Sequence, residues 1–429
     1  MGGEAVLTPE QFTLWHDLLS AARHIVITCH RGPDGDAIGS TTALASWLRR
    51  HYPAADIHVI APNIFPDFLK WIPGAEDILI YERHEDEVRP IVEAADLIIM
   101  CDHGELKRMW TLGDVIRPLL PIGQGLPLQP LDAAHTDTVR CIMIDHHLDP
   151  ESGIADLVIS HPALSSTCEV LLRMLLDIKA HASENSKAHA SENIEAHASE
   201  NIEAHASEEA CPVLSGSAAE SPLTPSEATS LYTGMMTDTG AFTYASSRPE
   251  IYELISILLR YGIDKDKIYR NIFYTYSPNR MKLMGYMLYV KLDVWKKAHT
   301  AIMTFTNAER RRFGVLNGDT EGLVNLPLQI LGMKLSVFLR EDTENPCIRV
   351  SLRSVDDFPA NEMAAEFFGG GGHKNAAGGE VWGTMDDALA LVKKAVQKYM
   401  PLLKSPLPSP QEGTLNSSSI GSTPKREGN

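Results

Sequence analysis

Three short apolar runs constrain this chain most: His24-Ile-Val-Ile-Thr-Cys29, Asp96-Leu-Ile-Ile-Met-Cys101 and Arg140-Cys-Ile-Met-Ile144. Each is rich in β-branched residues and carries no polar alternation. A strand apolar on both faces must be covered on both, which is the situation of central strands in a parallel sheet flanked by helices. The run 57–61 reads as another strand, and helical periodicity follows at 37–50 and 167–177. The first half is therefore expected to be α/β, a doubly wound and mostly parallel sheet.

The expected organisation is a first domain over 1–262, a helical connector over 263–290, a smaller α+β domain over 291–404 and a disordered tail over 405–429. Residues 179–210 repeat an eight-residue unit, KAHASENS, KAHASENI, EAHASENI, EAHASEEA. It is too polar to form a core, so 179–225 reads as a solvated or partly helical insert, and the repeat histidines His181, His189, His197 and His205 reflect repeat expansion rather than a metal site. Helices are expected over 226–236, with Ser226 as N-cap, and over 249–261, ended by Gly262. The last domain carries strand patterns at 301–306, 335–340 and 348–353.

Six cysteines occur without a CxxC pair, so they read as reduced core thiols. The net charge of −18 argues against a broad grip on long duplex DNA but not against a small phosphorylated ligand held by local cations. There is no apolar run of membrane-spanning length and no secretory pattern at 1–12, so no membrane partner and a cytoplasmic location are expected. A homodimer is compatible with all of this.

The chemistry gathers at the ends of the three runs. His30 ends the first and is followed by Asp34 and Asp36. Asp102 ends the second, and Asp145, His146 and His147 end the third. Parallel α/β sheets bind ligands at the carboxyl ends of their strands, so distant segments deliver carboxylates and imidazoles to one edge. Asp238 and Thr239, after a helix, can complete the set. Crowded carboxylates repel unless cations neutralise them, and a mixed His and Asp set suits Mn²⁺, Zn²⁺ or Fe²⁺, with Mn²⁺ the first choice. About six ligands hold two ions more naturally than one, and an ion pair can clamp a phosphoryl group for in-line attack.

These residues match a known pattern. His30-Arg-Gly-Pro-Asp34-Gly-Asp36-Ala-Ile-Gly39-Ser40 resembles the opening motif of the DHH phosphoesterase family, and Asp145-His146-His147 is its naming triplet. Tyr232 to Gly240 looks like a further motif. Gly369 to His373 is similar to the GGGGH signature of the DHH-associated C-terminal domain. The resemblance covers nearly everything except 179–225 and the tail. It implies one divalent ion on His30, Asp34 and Asp102, and another on Asp36, Asp102, His146 and Asp238. His147 would face the scissile phosphate and Asp145 would orient its neighbours. Gly39 and Ser40 amides would meet a phosphate. Substrate would be held by Arg108, Arg349, Arg353, Gly370, Gly371, Gly372 and His373. The second motif departs from the pattern, with His103 and Gly104 after Asp102, and His103 is a weak further ligand candidate. Ser166 to Glu169 reads as a structural capping box.

The implied activity is hydrolysis of short oligoribonucleotides to nucleoside 5′-monophosphates, and of 3′,5′-bisphosphorylated adenosine (pAp) to AMP and phosphate, in a cleft between domains. The alternative enzyme is a phosphodiesterase for c-di-AMP or its linear product pApA. A non-catalytic nucleotide-binding regulator would lack metal ligands, and none is missing.

Overall fold

The computed structural model describes residues 5–120, 139–196, 222–316, 318–343 and 345–404, with the side chains of 182–196 left out. It divides between Tyr276 and Ser277 into two units. In the first, strands β1 (His24–Thr28), β2 (Asp56–Ala61), β3 (Leu79–Ile80), β4 (Leu97–Cys101), β5 (Arg140–Asp145) and β6 (Leu157–Ser160) form one sheet in the order β3-β2-β1-β4-β5-β6. Every neighbouring pair is parallel.

The uninterrupted apolar runs are explained by two cores. Ile25, Ile27, Leu97, Ile99, Ile142 and Ile144 enter one with helices Gly35–His51 and Pro225–Asp238. Val26, Ile98, Met100, Cys141 and Met143 enter another with helices Glu85–Glu93 and Thr111–Ile116. Both faces are buried, so neither set of alternate residues can be polar. The chain winds outward in one direction from β1 to β3 and in the other from β4 to β6, which makes β1/β4 the topological switch point.

Helix Gly35–His51 crosses helix Pro225–Asp238 at very close range. A Cβ on Gly39 would lie 2.5 Å from the Ser230 carbonyl oxygen, and one on Gly234 would lie 2.2 Å from the Cys168 Sγ. Gly39 therefore packs helix on helix rather than meeting a phosphate. The helix opens at Gly35, so the Gly39 and Ser40 amides lie past its first turn, where N–H groups bond within the helix, and neither meets a phosphate as the resemblance implies. Helix Pro225–Asp238 is capped by Thr224, not Ser226: Thr224 accepts from the Glu227 amide, and Glu227 accepts from the Thr224 amide. Pro225 at the first helical position favours this start.

Helix Thr167–Ala196 runs past position 179 into the repeat, and His181 packs on Phe12 with ring centroids 5.0 Å apart. Residues 197–221 and the tail 405–429, with Cys211, lie outside the described residues. The five described cysteines are buried and unpaired. Among the described residues no helix is long and apolar enough to cross a membrane.

The expected connector is not one element. In helix Lys265–Phe273, Ile268 and Ile272 join the core of the first unit, whereas Leu283 of helix Pro278–Tyr286 joins a core of the second. In that second unit β7 (Asp293–Trp295), β8 (Thr300–Phe305), β9 (Leu335–Glu341), β10 (Cys347–Ser354), β11 (Gly371–His373) and β12 (Ala376–Trp382) form a mixed sheet in the order β11-β12-β10-β9-β8-β7. Helices Ala360–Phe368 and Met385–Lys404 cover its core face. Strand β12 escapes the sequence patterns because Gly378 and Gly379 interrupt it.

Gly39→Val is expected to lower the unfolding free energy by about 1–3 kcal/mol through overpacking, read by urea denaturation. Unchanged stability would mean the helices do not cross this closely.

Candidate metal centre

The carboxyl ends of β1, β4 and β5 carry the site, and each contributes through a distinct local device. After β1, Asp34 caps helix Gly35–His51, its Oδ1 accepting from the Asp36 and Ala37 amides at 3.0 and 3.1 Å. Asp36 in the first turn is 1% exposed. Its carboxylate accepts from the Thr167 amide at 2.7 Å and the Cys168 amide at 2.9 Å, the free N–H groups at the start of another helix. Both helix starts thus aim backbone donors at acidic groups.

After β4, Asp102 adopts φ 63°, a left-handed conformation that costs an ordinary residue about 1–3 kcal/mol. Its amide donates to the Ile144 carbonyl at 3.0 Å, which ties the turn to β5. The two carboxylate oxygens then face different partners. Oδ2 lies 3.3 Å from His30 Nε2, while Oδ1 lies 3.6 Å from His146 Nε2 and accepts from the Thr167 hydroxyl at 3.1 Å. His30 Nε2 is also 4.0 Å from Asp34 Oδ1. His146 Nε2 is 3.9 Å from Asp36 Oδ2 and 3.4 Å from Asp238 Oδ2.

Two groups of ligand atoms follow: His30, Asp34 and Asp102 on one side, and Asp36, His146 and Asp238 on the other, each within 4.8 Å of one another. Asp102, Asp145 and His147 form a third such group. All lie in the first unit. The donor chemistry fits divalent cations. Burial, then the charges of Asp102, Asp238 and Asp34, push the Asp36 carboxyl well above the usual range, a conflict that a cation relieves. Burial also raises Asp102, but the hydrogen bond and charge of His30, with His146 and His147, hold it far below the usual range. The geometry brings together His30, Asp34, Asp36, Asp102, His146 and Asp238, the six main ligand candidates named from the sequence.

His147 Nδ1 lies 2.7 Å from Asp145 Oδ1, and the imidazole is partly exposed while Asp145 is fully buried. Such a pair fixes the ring and leaves Nε2 as its other nitrogen. Gly104 makes this possible, because a Cβ there would sit 3.0 Å from Asp145 Oδ2 and 2.9 Å from the Pro150 Cα. His103 is fully buried, pushed down to about 3 by burial and by the Arg108 and His30 charges, and is therefore neutral. Among the described residues it joins none of the ligand groups. Arg108, in a short 3-10 turn after β4, is close enough to act electrostatically on both His30 and His103.

A model for the DHH family, N-terminal domain, matches residues 24–199, and one for the DHHA1 domain matches 298–398. A crystal structure described as an exopolyphosphatase-related protein from Bacteroides fragilis is 39% identical, spans 94% of this chain and 100% of that one, and superposes with a TM-score of 0.74. The chain belongs to the DHH family. It is a hydrolase of phosphate esters. Among curated relatives, the bifunctional oligoribonuclease and PAP phosphatase NrnA of Thermus thermophilus is 27% identical over 394 residues, 91% of this chain and 95% of its own. The Bacillus subtilis protein of the same name is 23% identical over 369 residues, 85% and 92% of the two chains.

The structure of this DHH hydrolase also adds residues that sequence reasoning missed. Thr167 and Cys168 supply the donors to Asp36 and Asp102. The Ser166 to Glu169 segment is only half a capping box. Glu169 accepts from the Ser165 amide and hydroxyl rather than from Ser166, and ion-pairs with Arg173 and Arg248 at 2.8 and 2.6 Å. Thr239 turns its hydroxyl back to the Met235 carbonyl at 2.6 Å, so it closes the helix that presents Asp238.

In the DHHA1 unit the candidate substrate residues separate. Arg349 is committed to Asp342 at 2.6 Å and to Glu380, so its guanidinium is occupied by carboxylates. Arg353 and His373 both pair in register with Ala376, which places them on one sheet face with only a methyl group between. The glycines serve packing first. A Cβ on Gly370 would meet the Gly378 carbonyl at 1.8 Å, and Gly372 sits at φ 135°. Of these three, only a Cβ on Gly371 would meet nothing within 4 Å.

Adding Mn²⁺ to chelator-treated protein is expected to raise the melting temperature, with a gain of about 2.7 kcal/mol at a hundred times the dissociation constant. Asp102→Asn is expected to remove most of that gain in scanning fluorimetry, because it weakens both ligand groups at once. An equal gain in the variant would break the shared-carboxylate geometry.

Proposed function

We propose that this DHH-family hydrolase cleaves short oligoribonucleotides to nucleoside 5′-monophosphates and converts pAp to AMP and phosphate, in the cytoplasm, with two divalent cations of which Mn²⁺ is the natural choice. The observation that carries the reading is Asp102, whose two oxygens turn toward two separate sets of imidazole and carboxylate donors. His30, Asp34 and Asp102 would hold one ion, and Asp36, Asp102, His146 and Asp238 the other. These residues would hold the cations so that their charge would offset that of the phosphate and favour attack at phosphorus.

The chain's own groups complete the chemistry. Asp145 accepts from His147 Nδ1, so Nε2 is the nitrogen able to hold or donate a proton at a phosphate or leaving oxygen. Arg108 adds positive charge beside His30 in a chain whose net charge is −18. The relatives named bifunctional oligoribonuclease and PAP phosphatase support short nucleotide substrates. In the DHHA1 unit, Arg353, His373 and the open Gly371 are the groups we assign to the distal part of the nucleotide. Arg349 orders the strand that presents Arg353, and Gly370 and Gly372 shape the hairpin.

The test is side-by-side turnover of a two-nucleotide RNA, pAp and c-di-AMP by the Mn²⁺-loaded enzyme. Faster release of nucleoside monophosphates from the dinucleotide and of phosphate from pAp is expected, and a clear preference for c-di-AMP would replace this reading. Asp145→Asn is expected to lower kcat by about a hundred-fold or more while metal content stays constant, because it frees the His147 ring and tautomer. Retained kcat would remove His147 from the chemistry.

A further inference from the structure

The metal centre has a second kind of surface at its rim, which the chemistry above does not use. The loop after β1 and the loop after β4 are joined there, the Arg31 amide donating to the Arg108 carbonyl at 2.8 Å. Arg31 directly follows the ligand candidate His30, and its guanidinium carbon lies 3.4 Å from the centroid of the Trp110 ring. That is contact distance for two flat groups stacked face to face.

Trp110 is unusual in two ways. Its backbone sits at φ 52°, ψ −130°, which is costly for a bulky residue and persists only when surrounding structure enforces it. The enforcing contacts are visible: its amide donates to the Lys107 carbonyl at 3.3 Å, and its carbonyl accepts from Asp114 at 3.1 Å. The strain also buries little, because Trp110 remains 41% exposed while Trp15 and Trp47 of the same unit are 2% and 3% exposed. Directly after the Asp-His-His triplet, Leu148 is 67% exposed as well. An apolar, aromatic rim beside a cluster of carboxylates suits a ligand with a charged end and a flat end.

We propose that the Arg31–Trp110 stack is a nucleobase platform, on which one base of the substrate lies while its phosphate occupies the metal centre. The inference rests on the nucleotide-hydrolase reading. Arg31 stacks on the indole and holds its plane, and the 41% of Trp110 that stays exposed offers π surface to the base. Every base has a π face, so such a platform binds nucleotides without choosing among sequences. An ordinary surface cation–π pair needs neither a left-handed tryptophan nor a place next to a metal ligand.

The experiment uses the full-length Mn²⁺-loaded enzyme and three substrates: a two-nucleotide RNA and the two versions lacking one base each. Trp110→Ala is expected to raise KM for the intact dinucleotide by roughly five- to a hundred-fold with kcat nearly kept, and Trp110→Phe to keep most of the affinity. The loss disappears on the one abasic dinucleotide that lacks the stacked base. Arg31→Ala gives a smaller KM rise with the same substrate dependence, and serves if Trp110→Ala fails to fold. An unchanged KM, or an equal loss on all three substrates, overturns the platform and leaves the hydrolase reading intact. Failure of the metal-loaded wild type to cleave the intact dinucleotide overturns the hydrolase reading itself.

Discussion

Mutual repulsion among buried carboxylates, and its relief by cations and imidazoles, is the constraint on which this structure depends. Asp36, Asp102 and Asp145 are all nearly or fully buried at adjacent strand ends, where each isolated negative charge would be strongly disfavoured. Asp102 is the hub. Three imidazoles lie within 4 Å of its two oxygens, and its left-handed backbone allows one side chain to address both sides of the site.

The fold supplies the remaining compensation through its helices. Asp34 caps one helix and Asp36 is gripped by the first amides of another, so fixed partial positive charges converge on the acidic cluster before any ion binds. These helices must approach closely to do so, which is why glycine occupies positions 39 and 234. Backbone strain accumulates in the same neighbourhood. Of the eight positive-φ residues other than glycine among the described residues, Asp102, Trp110, Asp149, Ala241, Phe242 and Ala245 lie in the loops that follow β4, β5 and the helix carrying Asp238. A core covered on both sheet faces gives the rigidity that holds such loops in place.

Much of this was legible in one dimension. The central strands announce themselves because burial on both faces forbids polar alternation, and the ligand candidates follow because a parallel sheet puts its strand ends on one edge. Other elements were hidden for equally physical reasons. Strand β3 has two residues, too few for a period, and β12 contains paired glycines, one lying against the Val350 carbonyl of β10 and the other against the Phe368 carbonyl at the end of helix Ala360–Phe368. Arg349 sits on the expected alternating face, but alternation says nothing about the Asp342 and Glu380 carboxylates that claim it. Gly39 and Ser40 looked like phosphate binders because the sequence does not show that the helix already opens at Gly35, which leaves their amides past its first turn.

Sequence by itself determined which residue types the chain carries to its strand ends, and hence the α/β class, the ligand candidates and the family. Those properties are local, set by hydrophobic period and by motif spacing. Only the tertiary structure decided which atoms share a partner. The split role of Asp102, the gripping of Asp36 by Thr167 and Cys168, and the stacking of Arg31 on Trp110 join residues 44 to 132 positions apart. Contacts over such separations depend on the register and winding of the sheet, which no local pattern records.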